Sequence, residues 1–201
     1  MTALPSRVYP VVATADHVEM LVAAGARFIQ LRIKDQAEAA LRAEIGRAQA
    51  SCRASGASLV VNDHWRLGVE MRSDFVHLGQ EDLETADLVA IRAGGLRLGI
   101  STHSHQELTR ALDARPDYVA LGPIYPTTLK QMAFAPQGLA RIGEWRQLVS
   151  PLPLVAIGGI TLERAPGCLA AGADCVAAVS GILAAADPTA KLREWLRVLE
   201  A

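Results

Sequence analysis

The sequence predicts a single (β/α)8 TIM barrel of the α/β class, on three observations. Strand-like and helix-like stretches alternate about eight times along the 201 residues. The strand-like stretches are continuous apolar runs, not alternating ones, which is the pattern of a parallel sheet covered by helices. Polar residues and glycines recur just after these runs, at the ends where barrel enzymes carry their chemistry. An open doubly wound sheet would share the alternation, but no G-x-G-x-x-G follows the first run. One domain, residues 1–201, is expected, close to the small end of this fold and therefore with short loops.

In chain order, Val8–Thr14 is a short apolar run, and Asp16 is placed to cap a helix to about Ala24, ended by Gly25. Phe28–Ile33 is strand-like, and Ala37–Ala54 is a helix stopped by Gly56. Leu59–Val61 is a buried strand leading into Asn62 and Asp63, and His64–Met71 a short helix. Phe75–Leu78 is a strand, Leu83–Arg92 a helix, and Leu96–Ile100 a strand ending at Ser101. Ser104–Ala114 is helical, and Tyr118–Leu121 is the next strand. Pro136–Val149 is a helix and Leu154–Ile157 a strand ending in Gly158-Gly159. Leu162–Ala171 is a helix broken near Pro166-Gly167, Cys175–Val179 a strand ending at Ser180-Gly181, and Lys191–Glu200 a closing amphipathic helix.

Composition narrows the functional classes. Apolar content of 51% with 20% charged residues is that of a globular domain. A net charge of −1 gives no bulk attraction to nucleic acid or to an anionic membrane, so neither is expected as a partner. Cys52, Cys168 and Cys175 are an odd set without C-x-x-C spacing, which argues against a disulfide scaffold or zinc site. A reducing, cytoplasmic location is expected, with no signal peptide and no apolar run long enough to span a bilayer. Oligomeric state is not legible. The three lysines are Lys34, Lys130 and Lys191, and two of them lie just after strand-like runs.

The stretch Asp117–Lys130 concentrates these features. A short apolar strand is broken by Gly122-Pro123, since Pro123 has no N–H to donate. Tyr125, Thr127, Thr128 and Lys130 follow, an arrangement suited to a phosphorylated ligand and also found at ordinary strand exits. Other strand ends carry Gln30, Arg32 and Lys34; Asn62 and Asp63; Gln80 and Asp82; Ser101; Gly158 and Gly159; Ser180 and Gly181. Gln30, Arg32 and Lys34 share one face by the period of two. Arg32 and Lys34 suit a multiply charged phosphate. Asp63 and Asp82 offer two carboxylates from separate strand ends, the usual protein share of a Mg2+ site, with a cap on the helix that follows as the lesser reading. The glycine pairs let backbone N–H groups approach an anion. His77, in a strand, reads as a core histidine, and His103 and His105 as a helix start. Neither a nucleophile elbow nor H-E-x-x-H occurs.

These residues stand in segments that together resemble thiamine phosphate synthase along nearly the whole chain. The segments are QLRIK (Gln30–Lys34), ND (Asn62-Asp63), VHLGQEDL (Val76–Leu83), GISTH (Gly99–His103), DYVALGPIYPT (Asp117–Thr127), KQMAFAPQGL (Lys130–Leu139), VAIGGI (Val155–Ile160) and AAVSGI (Ala177–Ile182). The resemblance implies joining of a pyrimidine diphosphate to a thiazole phosphate, with release of pyrophosphate. It implies Gln30, Arg32, Lys34 and Asn62 as contacts to the pyrimidine diphosphate, and Asp63 and Asp82 as Mg2+ ligands. Ser101 and Lys130 would be further diphosphate contacts. Thr127, Thr128 and backbone from Gly158 or Gly159 and from Val179-Ser180 would hold the thiazole phosphate. Arg32, Lys34, Ser101 and Lys130 are thus the expected catalytic set, all converging on one barrel mouth. A thiazole tautomerase on the same barrel, or a non-catalytic binder of thiamine precursors, is the competing reading.

The family's loop often reads P-T-x-T/S-K, and Leu129 stands here at the second hydroxyl position. A lost hydrogen bond to a buried phosphate costs on the order of 1–3 kcal/mol. Leu129→Thr is therefore expected to lower, or leave unchanged, the KM for the thiazole phosphate in steady-state assays. A raised KM would show that Leu129 packs in this loop instead.

Overall fold

The computed structural model describes residues 3–127 and 134–200. Eight parallel strands close into a barrel in sequence order, each paired with its chain neighbours and the last with the first. The strands are β1 (Val8–Val12), β2 (Phe28–Leu31), β3 (Ser58–Asn62), β4 (Phe75–Leu78), β5 (Arg97–Thr102), β6 (Tyr118–Leu121), β7 (Leu154–Ile157) and β8 (Cys175–Ala178). The helices between them are α1 (Ala15–Ala23), α2 (Glu38–Ser55), α3 (Trp65–Glu70), α4 (Gln80–Thr85), α5 (Leu88–Ala93), α6 (His105–Asp113), α7 (Gly138–Val149) and α8 (Ala165–Ala170). The short α9 (Ser180–Leu183) and α10 (Pro188–Leu199) follow β8.

The strands bury both faces, and period two divides their side chains between two cores. The outward set, such as Ile29, Leu31, Val76 and Leu98, packs under the helices. The inward set begins with aromatics: Tyr9 stacks on Phe28 at 4.1 Å between centroids, and Phe28 meets Phe75 edge-on at 5.1 Å. Tyr118 fits among them because β5 has no side chain opposite it. A Cβ at Gly99 would lie 2.0 Å from the Tyr118 ring.

The opposite ends of the strands carry a repeated clamp. Asp74, Asp117 and Asp174 immediately precede β4, β6 and β8, and each accepts from an N–H of the preceding strand. The acceptor distances to Leu59, Leu98 and Leu154 are 3.1, 2.7 and 2.8 Å. These carboxylates satisfy strand-end donors and help fix register at the face away from the polar rim.

Four local expectations need correction. The helix predicted over 83–92 is two, α4 and α5, because Asp87 caps a new start by accepting from Val89 and Ala90 N–H. Thr14, not Asp16, caps α1, accepting from the His17 N–H at 3.2 Å. Pro166 does not break its helix but lies in the first turn of α8, where its missing N–H costs nothing. The helix expected from Pro136 starts at Gly138.

Gly99→Ala is expected to destabilise the fold by about 1–3 kcal/mol or more, since the Tyr118 ring cannot retreat from a filled interior. Gly46→Ala is the matched control. Its Cβ would meet Met71 at an ordinary 3.7 Å in mid-helix, and a gain of about 0.5–1 kcal/mol is expected. Urea unfolding of both variants measures the contrast.

Candidate active site

The inward face turns polar one step above the aromatics. Gln30 follows Phe28 by two residues, Asn62 follows Val60, His77 follows Phe75 and Ser101 follows Gly99. All four line a cavity of about 360 Å3 at the C-terminal end of the barrel. Arg32, Thr127, Gly158, Gly159, Val179 and Ser180 complete its polar and glycine edge.

Hydrogen bonds tie the floor of this cavity into one chain. The Gln30 amide Nε2 donates to the Tyr9 hydroxyl at 2.7 Å, and the Tyr9 and Tyr118 hydroxyls lie 2.9 Å apart. The Tyr118 hydroxyl is 2.9 Å from His77 Nδ1, and His77 Nε2 is 2.8 Å from the Ser101 hydroxyl oxygen. Burial pushes the His77 imidazole down to about 4, helped by the nearby Arg32 charge and opposed by Asp82. His77 is therefore neutral at pH 7, with both ring nitrogens engaged. Asn62 differs from these neighbours. It is 4% exposed, and its amide nitrogen is a buried donor with no partner among the described residues. A buried donor without a partner, on a residue that lines a cavity, suits a ligand acceptor that reaches it.

Asp63 and Asp82 line a second depression beside the cavity, with Trp65 and Thr85. Asp63 has φ of 62°, a left-handed conformation that costs a non-glycine residue roughly 1–2 kcal/mol and aims its side chain off the strand line. Neither carboxylate caps a helix: the residues preceding α3 and α4 are His64 and Gly79, and neither makes a side-chain cap. Burial raises the Asp63 carboxyl, and the charge and hydrogen bond of neighbouring Asp82 raise it further, while Lys34 and Arg32 pull it down. Asp63 thus feels the other three groups, although Lys34 is exposed and Arg32 alone of the four lines the main cavity. No group of three or more His, Cys, Asp or Glu that could hold a metal occurs among the described residues. Two crowded carboxylates still fit a hard dication such as Mg2+, which takes one or two carboxylates, water and substrate phosphate oxygens.

The glycine side is built by close backbone approach. Gly158 and Gly159 have φ of 100° and 64°, and a Cβ at Gly159 would lie 2.4 Å from the Pro126 carbonyl oxygen. The Tyr125 N–H donates to the Gly158 carbonyl at 3.0 Å, which joins the loops after β6 and β7. Arg164 reinforces that junction, donating to the Gly159 carbonyl at 2.7 Å while its guanidinium lies 4.5 Å from the centre of the Tyr125 ring. Thr128, Leu129 and Lys130 lie outside the described residues. The described flanks of that segment both reach the site: Thr127 lines the cavity, and Phe134 stacks on the cavity-lining His103 at 4.8 Å.

His103 pairs with Glu107 at 2.7 Å just ahead of α6, and His105 pairs with Glu144 outside the cavity. The sequence reading missed Tyr9, Tyr118 and Arg164. Counting alternate residues back from Gln30 and Ala120 along their strands finds the inward face that Tyr118 shares. Nothing in local sequence marks Arg164.

A barrel with a polar C-terminal mouth, crowded carboxylates and bare glycine loops belongs to the class of phosphate-handling (β/α)8 enzymes. The family model for thiamine monophosphate synthase matches residues 8–182, and the chain belongs to that family. It is accordingly a transferase of thiamine biosynthesis. It is 56% identical over 188 residues to the thiamine-phosphate synthase of Rhizobium etli, covering 94% of this chain and 92% of that one. The thiamine-phosphate synthase of Neisseria meningitidis serogroup A is 50% identical over 191 residues, covering 95% and 93%. Among solved structures, the thiamine phosphate pyrophosphorylase of Pyrococcus furiosus superposes with a TM-score of 0.85 at 26% identity, covering 96% and 95%. No described helix is long and apolar enough to cross a membrane.

Asn62→Leu separates binding from folding. Removing a buried unpaired donor is expected to leave stability unchanged or raise it by up to about 1 kcal/mol, while substrate affinity falls. Thermal unfolding without ligand, set beside KM, reads both effects.

Proposed function

We propose that this chain, as one barrel domain in the cytoplasm, condenses 4-amino-2-methyl-5-hydroxymethylpyrimidine diphosphate with 4-methyl-5-hydroxyethylthiazole phosphate. The C–O bond from the pyrimidine methylene carbon to the diphosphate breaks, and the bonding pair leaves with pyrophosphate. The thiazole ring nitrogen then donates its lone pair to that carbon, giving thiamine phosphate. The pyrimidine amino group supplies electron density to the cationic intermediate, so no protein nucleophile is needed.

The observation that carries this reading is Asn62, a cavity-lining residue whose amide nitrogen is a buried, unpaired donor among the described residues, followed directly by a crowded carboxylate. In the proposal Gln30 and Asn62 hold the pyrimidine diphosphate, with Arg32, Lys34, Ser101 and Lys130 bearing on the departing diphosphate. Asp63 and Asp82 would hold Mg2+, which when bound supplies positive charge to the leaving oxygens. Thr127 and Thr128, with backbone at Gly158, Gly159, Val179 and Ser180, would hold the thiazole phosphate. Charge balance supports a bound cation. Arg32 and Lys34 only offset Asp63 and Asp82, so a diphosphate requires further positive charge from Lys130 and a metal. The same pair of carboxylates favours this reaction over a tautomerase, which has no diphosphate to neutralise.

Asp63→Ala and Lys130→Ala are each expected to lower turnover by about tenfold or more, equivalent to at least roughly 1.4 kcal/mol of transition-state stabilisation. Pyrophosphate release with both substrates and Mg2+ is the measurement. Near-normal rates in both variants at saturating substrate would overturn the mechanism, and tautomer conversion without pyrophosphate would identify the isomerase instead.

A further inference from the structure

The polar chain on the cavity floor has a direction. Each tyrosine hydroxyl carries one proton, and a neutral imidazole donates from one nitrogen and accepts at the other. Gln30 Nε2 donates to Tyr9, which leaves the Tyr9 proton for Tyr118. Tyr118 then has its proton for His77 Nδ1, and His77 must carry its own on Nε2, facing the Ser101 oxygen. Ser101 accepts that bond, so its proton is left for the cavity it lines.

The opposite direction is worse on this geometry. Ser101 would donate to His77, His77 to Tyr118, and Tyr118 to Tyr9. With Gln30 Nε2 facing Tyr9, the Tyr9 proton would then have no acceptor among the described residues; the reverse direction requires the Gln30 amide turned over to present Oε1. Tyr9 is 1% exposed, so that orphaned donor would be buried.

We propose that Tyr9, Tyr118 and His77 are positioning residues that fix the Ser101 hydroxyl as a hydrogen-bond donor into the cavity, toward an anionic oxygen of the diphosphate-bearing substrate. The role of Ser101 rests on the diphosphate reading above; the direction of the chain does not. A freely rotating serine would offer a lone pair or a proton to an incoming anion. A serine already accepting from His77 offers the proton. Tyr118 and Tyr9 act one and two bonds further back.

Long-range 1H–15N spectra of the full chain labelled with 15N-histidine test this without substrate. The His77 resonances are identified by their loss in His77→Gln. The wild-type protein is expected to show the Nε2–H tautomer. In Tyr118→Phe, Nδ1 loses its donor, so the bias toward Nε2–H falls and a mixture with Nδ1–H is expected; in the Nδ1–H fraction Ser101 turns its proton to Nε2. Calorimetry should show the Kd for inorganic pyrophosphate rising in that variant by the factor its Nδ1–H fraction sets, toward the value for Ser101→Ala. An Nδ1–H tautomer in the wild type would overturn the proposal even if Tyr118→Phe fails to fold. So would a Tyr118→Phe protein in which only the tautomer or only the Kd moves. Wild-type protein that has the Nε2–H tautomer but binds no pyrophosphate would support the direction of the chain and overturn the diphosphate reading.

Discussion

Closing a parallel barrel from eight short strands forces alternate side chains into a narrow interior, and the site is a consequence of what fills it. Phe28, Phe75, Tyr9 and Tyr118 occupy the inward positions first, and Gly99 is the concession that lets them fit. Two residues further along, the strands reach their C-terminal ends, and the inward positions become Gln30, Asn62, His77 and Ser101. The aromatic layer thus gives the polar groups a rigid base. Tyr9 and Tyr118 belong to both layers, with rings in the apolar core and hydroxyls in the polar floor.

The mouth divides its electrostatics by strand. The β4–β6 side is neutral and fully hydrogen-bonded, with His77 uncharged by burial. The β2–β3 side carries the formal charges, Arg32 and Lys34 against Asp63, with Asp82 completing the cluster from α4. The β7–β8 side is backbone, with glycines where a Cβ would strike the neighbouring loop. On the proposed reading the β4–β6 side offers Ser101 to the diphosphate, the β2–β3 side holds the pyrimidine diphosphate and the metal, and the β7–β8 side holds the thiazole phosphate. Neutrality of the floor matters there, because fixed dipoles orient a ring without competing for the leaving group's charge.

Fold and site were legible in the sequence to different depths. Continuous apolar runs such as Leu59–Val61 and Cys175–Val179 gave the strands, since only strands buried on both faces lack alternation. Residues at the run ends, among them Asn62 and Ser101, were legible because in a barrel that end is the mouth. The Asp63–Asp82 pairing was only half legible, since spacing alone leaves a cap open beside a metal ligand. Tyr9 and Tyr118 were hidden because a tyrosine within an apolar run counts as core. Their hydroxyls acquire meaning only when β1 and β6 are placed opposite β2 and β4. Helix ends were missed where one side chain decides, as Asp87 does in starting α5. Arg164 was missed because its partners, Gly159 and Tyr125, come from separate loops that meet only in the folded chain.

The described part of the mouth cannot by itself hold a diphosphate firmly. Arg32 is the one arginine or lysine among the described residues lining the cavity, and the nearby carboxylates cancel what it and Lys34 supply. Donors such as Asn62 and Ser101 orient an anion but do not neutralise it. On the proposed reading the missing charge comes from a metal that Asp63 and Asp82 would hold and from Lys130. Arg164 and the backbone bonds of Ile124 and Tyr125 pin the start of the loop after β6 against β7, and the Gln137 N–H to the Pro123 carbonyl at 2.7 Å pins its return. Both described flanks of that segment are therefore fixed at the rim.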